Sequence, residues 1–426
     1  MSASHEVVVT GVGALTTAGV GHEALWRHAG PDGGRAAHAA ERALPAPPGQ
    51  PEAAPVRLAA LAPYDPAEHL ATTKGTRTMS AECRAFAVAA ADACLHAGLP
   101  RTRDRDPAVG IAAGTTSGGL EDYAALFATR LARGVARVNP AQGPQTGLNA
   151  PASAVSILTG AAGPNLTFST GRAASLDALA AAARAIRTGA ADVMLAGGVQ
   201  LLGHAEHTAR RRALAGRRAA GTGPGDPVTD AARPGAAEGP EPSVPGEAAV
   251  VLVLERAATA RARGARVLAR LLGGGSAFGP PETNPAARAT RAAFAEASLT
   301  GGQDPTNALP GSCTDGPTNG PGGDPAYGPA GGPACRAAGG TADLAGASPQ
   351  PLRGRAVRPV HDAAAVTDAF GDCAGAAGAL QAALAVLALA RTGPDRTATA
   401  PVCVADPDGP AAALVFGRPR DGGTPA

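Results

Sequence analysis

Between Asn165 and Ala196 the chain runs from a strand through a long Ala-rich helix to a second strand, and this stretch limits the fold most tightly. Asn165–Ser169 alternates, with Leu166 and Phe168 on one side. Thr170-Gly171 leads into a helix over Ala173–Thr188 that ends at Gly189, and Asp192–Ala196 is a strand closed by Gly197-Gly198. Strand, helix and strand at this spacing predict a βαβ unit, hence a parallel sheet covered by helices on both faces. Val7–Thr10 is β-branched and predicts a buried strand that turns sharply at Gly11 and Gly13. Ser80 to Gly98 reads as a helix with a Ser cap and a closing glycine. Val109–Gly114 is a short strand, followed by Thr115–Gly119 and helical spacing over Leu120–Leu131.

The same alternation returns further on. Ala248–Leu254 and Val267–Leu272 read as strands, Ala374–Ala390 as a helix, and Val402–Ala405 and Ala412–Phe416 as strands. Two Gly/Pro-rich stretches, Ala215–Gly246 and Gly301–Pro351, interrupt it and read as irregular segments. Ala-rich helices pack closely, which suits a multilayer α/β core.

Composition narrows the partners. The 426 residues carry 37 Lys+Arg against 35 Asp+Glu, a net charge of +2, which excludes nucleic acid or an anionic membrane surface as the main partner. Only 17% of residues are charged, against roughly 25% in average globular chains, so another protein is expected to cover apolar surface. Cys83, Cys94, Cys313, Cys335, Cys373 and Cys403 are scattered without a CxxC pair and read as small buried thiols of a reducing compartment. The opening residues run straight into a strand, and no window reaches ~18 strongly apolar residues. A cytoplasmic protein is expected, with no membrane partner.

Four ordered segments carry a family signature. Val7–Gly19 (VVVTGVGALTTAG) resembles the opening of the β-ketoacyl synthases, the condensing enzymes of fatty acid and polyketide synthesis. Gly163–Leu179 resembles their nucleophile strand and elbow, with Ala191–Gln200 as the strand after the elbow helix; Gly246–Phe278 resembles the crossing into the second half. The resemblance implies the thiolase fold, α/β in five αβαβα layers with two duplicated halves, here expected at 1–256 and 257–426.

Condensing chemistry needs a thiolate at a helix N-terminus and two neutral histidines that stabilise the enolate and oxyanion. The family's Ser-Thr-Ala-Cys-Ala elbow reads Ser169-Thr170-Gly171-Arg172-Ala173, so Arg172 stands at the nucleophile's place. Arginine stays protonated and cannot form a thioester. The first histidine's place falls on Asp315, within Thr314-Asp315-Gly316, and the second on Asp372, within a match to KSxxGHxxGAAG over Thr367–Gly378. The C-terminal GFGG loop is missing, and Asp406-Pro407-Asp408-Gly409 lies near its place. Such a degenerate chain resembles the chain-length factor, or ketosynthase β subunit, of type II polyketide synthases. That subfamily commonly has glutamine where Arg172 stands.

The resemblance implies no catalytic residue, no metal and no cofactor. Arg172, Asp315 and Asp372 are expected to converge on the vacated active site, where two carboxylates would satisfy one buried guanidinium. Drift, with the charges pointing into water, and a retained anion-binding role for Arg172 are the alternatives. Leu120, Tyr123 and Phe127 fall at the positions whose side chains line the product tunnel, although i, i+3, i+7 spacing is equally that of a core stripe. Asn165, Leu166, Thr167, Phe168 and Ser169 would form the dimer-interface strand, or else an internal buried strand. The implied partners are a catalytic ketosynthase subunit in a heterodimer, an acyl carrier protein and the growing polyketide chain. A diverged condensing or acyl-transfer enzyme with another nucleophile and a homodimeric scaffold are the competing readings. Gly273-Gly274-Gly275 lacks Walker spacing, Ser175 has no activating histidine in place, and His204 with His207 lacks further metal ligands.

Overall fold

Strand β1 (Val7–Thr16) is buried along its whole length and organises the sheet. The computed structural model describes residues 6–30, 39–46, 49, 55–101, 104–220, 244–280, 283–301, 363–391, 399–406 and 409–419. After β1 come β2 (Gly19–Val20), β3 (Ala40–Arg42), β4 (Val56–Leu58), β5 (Val109–Gly114), β6 (Asn165–Phe168), β7 (Val193–Gln200) and β8 (Ala248–Arg256). β9 (Ala269–Phe278), β10 (Thr399–Ala405) and β11 (Pro410–Gly417) follow. The helices are α1 (His22–Ala29), α2 (Pro66–His69), α3 (Ala81–His96), α4 (Leu120–Arg133), α5 (Ala150–Thr159) and α6 (Ala174–Arg187). The remaining ones are α7 (His204–Ala220), α8 (Ala257–Ala262), α9 (Pro285–Gly301), α10 (Ala363–Phe370) and α11 (Ala377–Arg391).

The main sheet runs β10-β11-β9-β1-β8-β7-β5-β6, with β2 beside β1. β5 lies parallel to both β6 and β7, which delivers the βαβ unit; α6 is its crossover. β1, β8 and β7 are successively antiparallel, and β9, β11 and β10 repeat that pattern. The two sets join edge to edge where Val7–Val9 pair with Ala269–Leu271. Helices α3 and α5 cover the outer face of the first set, α9 covers the second, and α6 and α11 pack between them. Counted through, the layers are five. β8 ends at Arg256, so the expected boundary between halves falls at the step from β8 to α8.

The strands run further than the glycine signals predict. β1 passes through Gly11 and Gly13 with only a bulge after Val9, because helix α3 lies against both positions. A Cβ on Gly13 would stand 2.1 Å from the Ala89 carbonyl oxygen, so Gly13→Ala would force the helix away. β7 likewise continues through Gly197-Gly198 to Gln200, and β9 through its three glycines to Phe278. Helix α7 extends to Ala220, into the stretch read as irregular; most of Gly301–Pro351 lies outside the described residues.

Ser80 caps α3 as predicted, its hydroxyl accepting the Cys83 N–H at 3.1 Å. Helix α11 is buried at Leu380, Leu384 and Leu387, each contributing about 1.5–3 kcal/mol through lost water contact. The span Ala374–Arg391 is the one helix among the described residues long and apolar enough to cross a bilayer, and 89% of it is buried inside the fold. Glu255, with no exposed surface, accepts hydrogen bonds from Thr10 and from Arg263 Nε at 2.9 Å. Arg263 also donates to the Ala97 carbonyl at 2.8 Å, so one buried ion pair ties α8 to β1, β8 and α3.

Candidate functional site

Two segments leave the carboxyl ends of the neighbouring parallel strands β5 and β6, the end of an α/β sheet where ligand sites form. From β6 the chain turns at Ser169-Thr170 into a short turn over Gly171–Ala173 and then into α6. Gly171 has φ +60°, and a Cβ there would lie 2.1 Å from Asp406 Oδ2, so the elbow needs glycine. Thr170 Oγ1 donates to Asp177 Oδ2 at 2.6 Å, and Ser276 Oγ donates to Asp177 Oδ1 at 2.7 Å. Those two bonds brace the turn.

Arg172 Nη1 donates to Asp372 Oδ2 at 2.7 Å, with 20% and 17% of the two side chains exposed. Asp372 is itself fixed. Its N–H donates to the Val244 carbonyl, its carbonyl accepts the Gly246 N–H, and its Oδ1 accepts the Ala374 N–H at 3.0 Å. The Arg172 backbone N–H donates to Asp406 Oδ2 at 2.8 Å. Thus the guanidinium and the backbone donor of residue 172 each face a different carboxylate of the same chain. Asp315 lies outside the described residues.

Two buried nucleophilic groups, Ser175 and Cys373, lie beside this arrangement. Ser175 is fully buried, and its hydroxyl accepts the Ala379 N–H at 3.0 Å. Cys373 is buried beside Asp372; burial above all, then the Asp372 charge, pushes its thiol far above the ordinary cysteine range. Among the described residues, no group of three or more His, Cys, Asp or Glu is arranged to hold a metal ion, and this includes His204 and His207.

From β5 the chain passes through Thr115–Gly119 into α4. Leu120 is half-buried, while Tyr123 and Phe127 are 55% and 43% exposed with their rings stacked at 6.2 Å. Leu131 and Val135 continue the apolar line, 73% and 75% exposed. The stripe therefore faces outward and is not part of this chain's core. β6 pairs with β5 on one side only among the described residues. Asn165 and Ser169 are exposed, Leu166, Thr167 and Phe168 half-buried, and Thr167 Oγ1 is buried without a hydrogen-bond partner.

Residues 4–260 match the family model of the β-ketoacyl synthase N-terminal domain. The chain belongs to the β-ketoacyl synthase family. Its curated relatives include 3-oxoacyl-[acyl-carrier-protein] synthase 2 of Vibrio harveyi, 33% identical over 56% of this chain and 58% of the relative. The synthase of the same name from Staphylococcus aureus (strain COL) is 29% identical over 70% of this chain and 71% of its own length. With the Rhizobium meliloti (strain 1021) synthase, 36% identical, the match covers 45% of each chain. The chain thus spans only about half the length of several of these synthases. Among solved structures, the ishigamide ketosynthase/chain length factor superposes with a TM-score of 0.63 at 21% identity, covering 97% of this chain and 99% of that one. A β-ketoacyl synthase from Burkholderia phymatum STM815 gives 0.63 at 21% identity, covering 98% and 100%. These likenesses fix the fold as the thiolase-like ketosynthase fold.

The family resemblance had placed Arg172 and Asp372 together, and in this fold they meet. Asp406 had been placed only near the missing loop. Its contact depends on the β10–β11 hairpin, where the Asp406 N–H donates to the Pro410 carbonyl and turns the carboxylate toward the elbow. A charged residue closing an otherwise apolar strand was the signal available for it.

Proposed function

We propose that this chain is a non-catalytic ketosynthase-like subunit. It pairs with an active ketosynthase and sets polyketide length by shaping a tunnel at their interface, and the complex works on a carrier-protein-bound chain. The observation that carries this reading is the double occupation of residue 172. Its side chain cannot attack a thioester. Its N–H, the donor best placed to stabilise an oxyanion formed at the elbow, already donates to Asp406. The buried Ser175 and the deactivated Cys373 count against a diverged enzyme that uses another nucleophile.

Two surfaces support a partner. Among the described residues β6 is paired on one side only, and its other edge offers backbone donors and acceptors to a second strand. The stacked rings of α4 form an exposed apolar stripe of the kind that marks an interface. We place Asn165–Ser169 at that interface and Leu120, Tyr123 and Phe127 along the tunnel.

The test is co-expression with an intact Cys-His-His ketosynthase. A soluble 1:1 complex that condenses malonyl units, beside an inactive lone chain, is expected. Condensation by this chain alone would overturn the reading.

A further inference from the structure

Beneath the first turn of α4 lies a polar cluster that the elbow does not use. Gln200, 1% exposed, ends β7. Its Nε2 donates to Ser117 Oγ at 2.9 Å and to both carboxylate oxygens of Glu206, at 2.9 and 2.8 Å. Its Oε1 accepts Thr116 Oγ1 at 2.5 Å and the Thr116 N–H at 3.2 Å. Ser117 Oγ donates onward to Glu82 Oε1 at 3.2 Å, and the Gly119 N–H donates to Glu82 Oε2 at 3.3 Å. On the far side, Arg210 closes on Glu206. Glu121 of α4 accepts the Ala205 and Glu206 N–H groups at 3.1 and 2.9 Å, at the positive end of α7.

Thr116, Ser117, Gly119 (through its backbone N–H) and Glu121 are therefore each hydrogen-bonded to α3, β7 or α7 within this cluster, and the Gly118 N–H donates to Thr115 Oγ1 at 3.0 Å. Such a network is rigid only while all its members are satisfied. We propose that Gln200, with Glu82 and Glu206 on either side, is a positioning residue for product length: the network fixes the first turn of α4, and through it where Tyr123 and Phe127 stand. This rests on the tunnel reading above.

Glu206 faces Glu82 with Arg210 as its cation, and no cation pairs with Glu82 in this cluster. Burial first, then the Glu206 charge, pushes the Glu82 carboxyl up to about 8.

Two measurements test the proposal. In the full chain alone, Gln200→Leu should speed amide hydrogen exchange over residues 117–127 about tenfold, with Thr116→Val as a milder variant that keeps the core packed. In the reconstituted complex with a ketosynthase, both variants should broaden the product lengths. Unchanged exchange in both variants would overturn the network's role. Faster exchange with unaltered product length would overturn the link to α4, provided Tyr123→Ala with Phe127→Ala still shifts the product. If that double variant also changes nothing, the tunnel reading itself fails and the proposal falls with it.

Discussion

The elbow and α4 start from adjacent strand ends, yet their polar and apolar groups are satisfied in opposite ways. At the elbow, Arg172, Asp372 and Asp406 satisfy one another within the chain. On α4, Tyr123, Phe127 and Leu131 lie in the open, and only the polar base of the helix is tied down. On the proposed reading, the elbow serves this chain's own stability and the stripe is left for a partner to cover.

The largest effect that would break the contrast lies at the elbow. Asp372→Ala leaves a mostly buried guanidinium unpaired and also removes the acceptor of the Ala374 N–H. A loss of about 2–4 kcal/mol is expected in urea unfolding, and a double-mutant cycle with Arg172→Leu should show strong coupling. An unchanged midpoint would mean the charges are solvated after all.

Next in size is a pH effect at the base of α4. Burial above all pushes the Glu82 carboxyl up from its ordinary 4.5 to about 8 in the fold. The folded state therefore binds more protons between those values, so this group's contribution to stability falls as pH rises from about 4.5 to about 8 and is level above. Glu82→Gln should flatten that slope in melts taken from pH 5 to 9. Asp92, raised to about 6 by burial, adds a slope of the same sign at lower pH. His22, lowered to about 4 by burial and by the stacked His96, opposes it, its contribution rising with pH between about 4 and 6.5.

Asp406→Ala is smaller. It frees the Arg172 N–H to the open side of the elbow and should cost about 1 kcal/mol, read by thermal melting. Smallest of all for stability is Tyr123→Ala with Phe127→Ala, expected within about 0.5 kcal/mol because both rings are exposed. The same pair should lengthen the product of the assembled complex. A large loss of stability with no change in product would return these rings to this chain's own packing.

Much of this was legible in the order of motifs. The strand and helix from Asn165 to Thr188 follow from periodicity, the elbow between them follows from the family resemblance, and Arg172 and Asp372 meet because each occupies a fixed place in that fold. Strand ends were misread for one physical reason. Glycine marks a turn in sequence, but at Gly11 and Gly13 it serves the close approach of an Ala-rich helix to a continuing strand. The cluster around Gln200 was not legible, since Glu82, Ser117, Gln200 and Glu206 come from separate elements and share no spacing rule. A glutamine ending a wholly buried strand was its only trace.

The central claim, that the elbow of this chain performs no condensation even when assembled, has one direct measurement. The complex with a ketosynthase is prepared with that partner's nucleophilic cysteine replaced by alanine, and malonyl condensation is followed by mass spectrometry of the carrier-bound chain. No extension is predicted, with full activity restored by the unmodified partner. Extension that persists without the partner's cysteine would place chemistry on this chain and contradict the account.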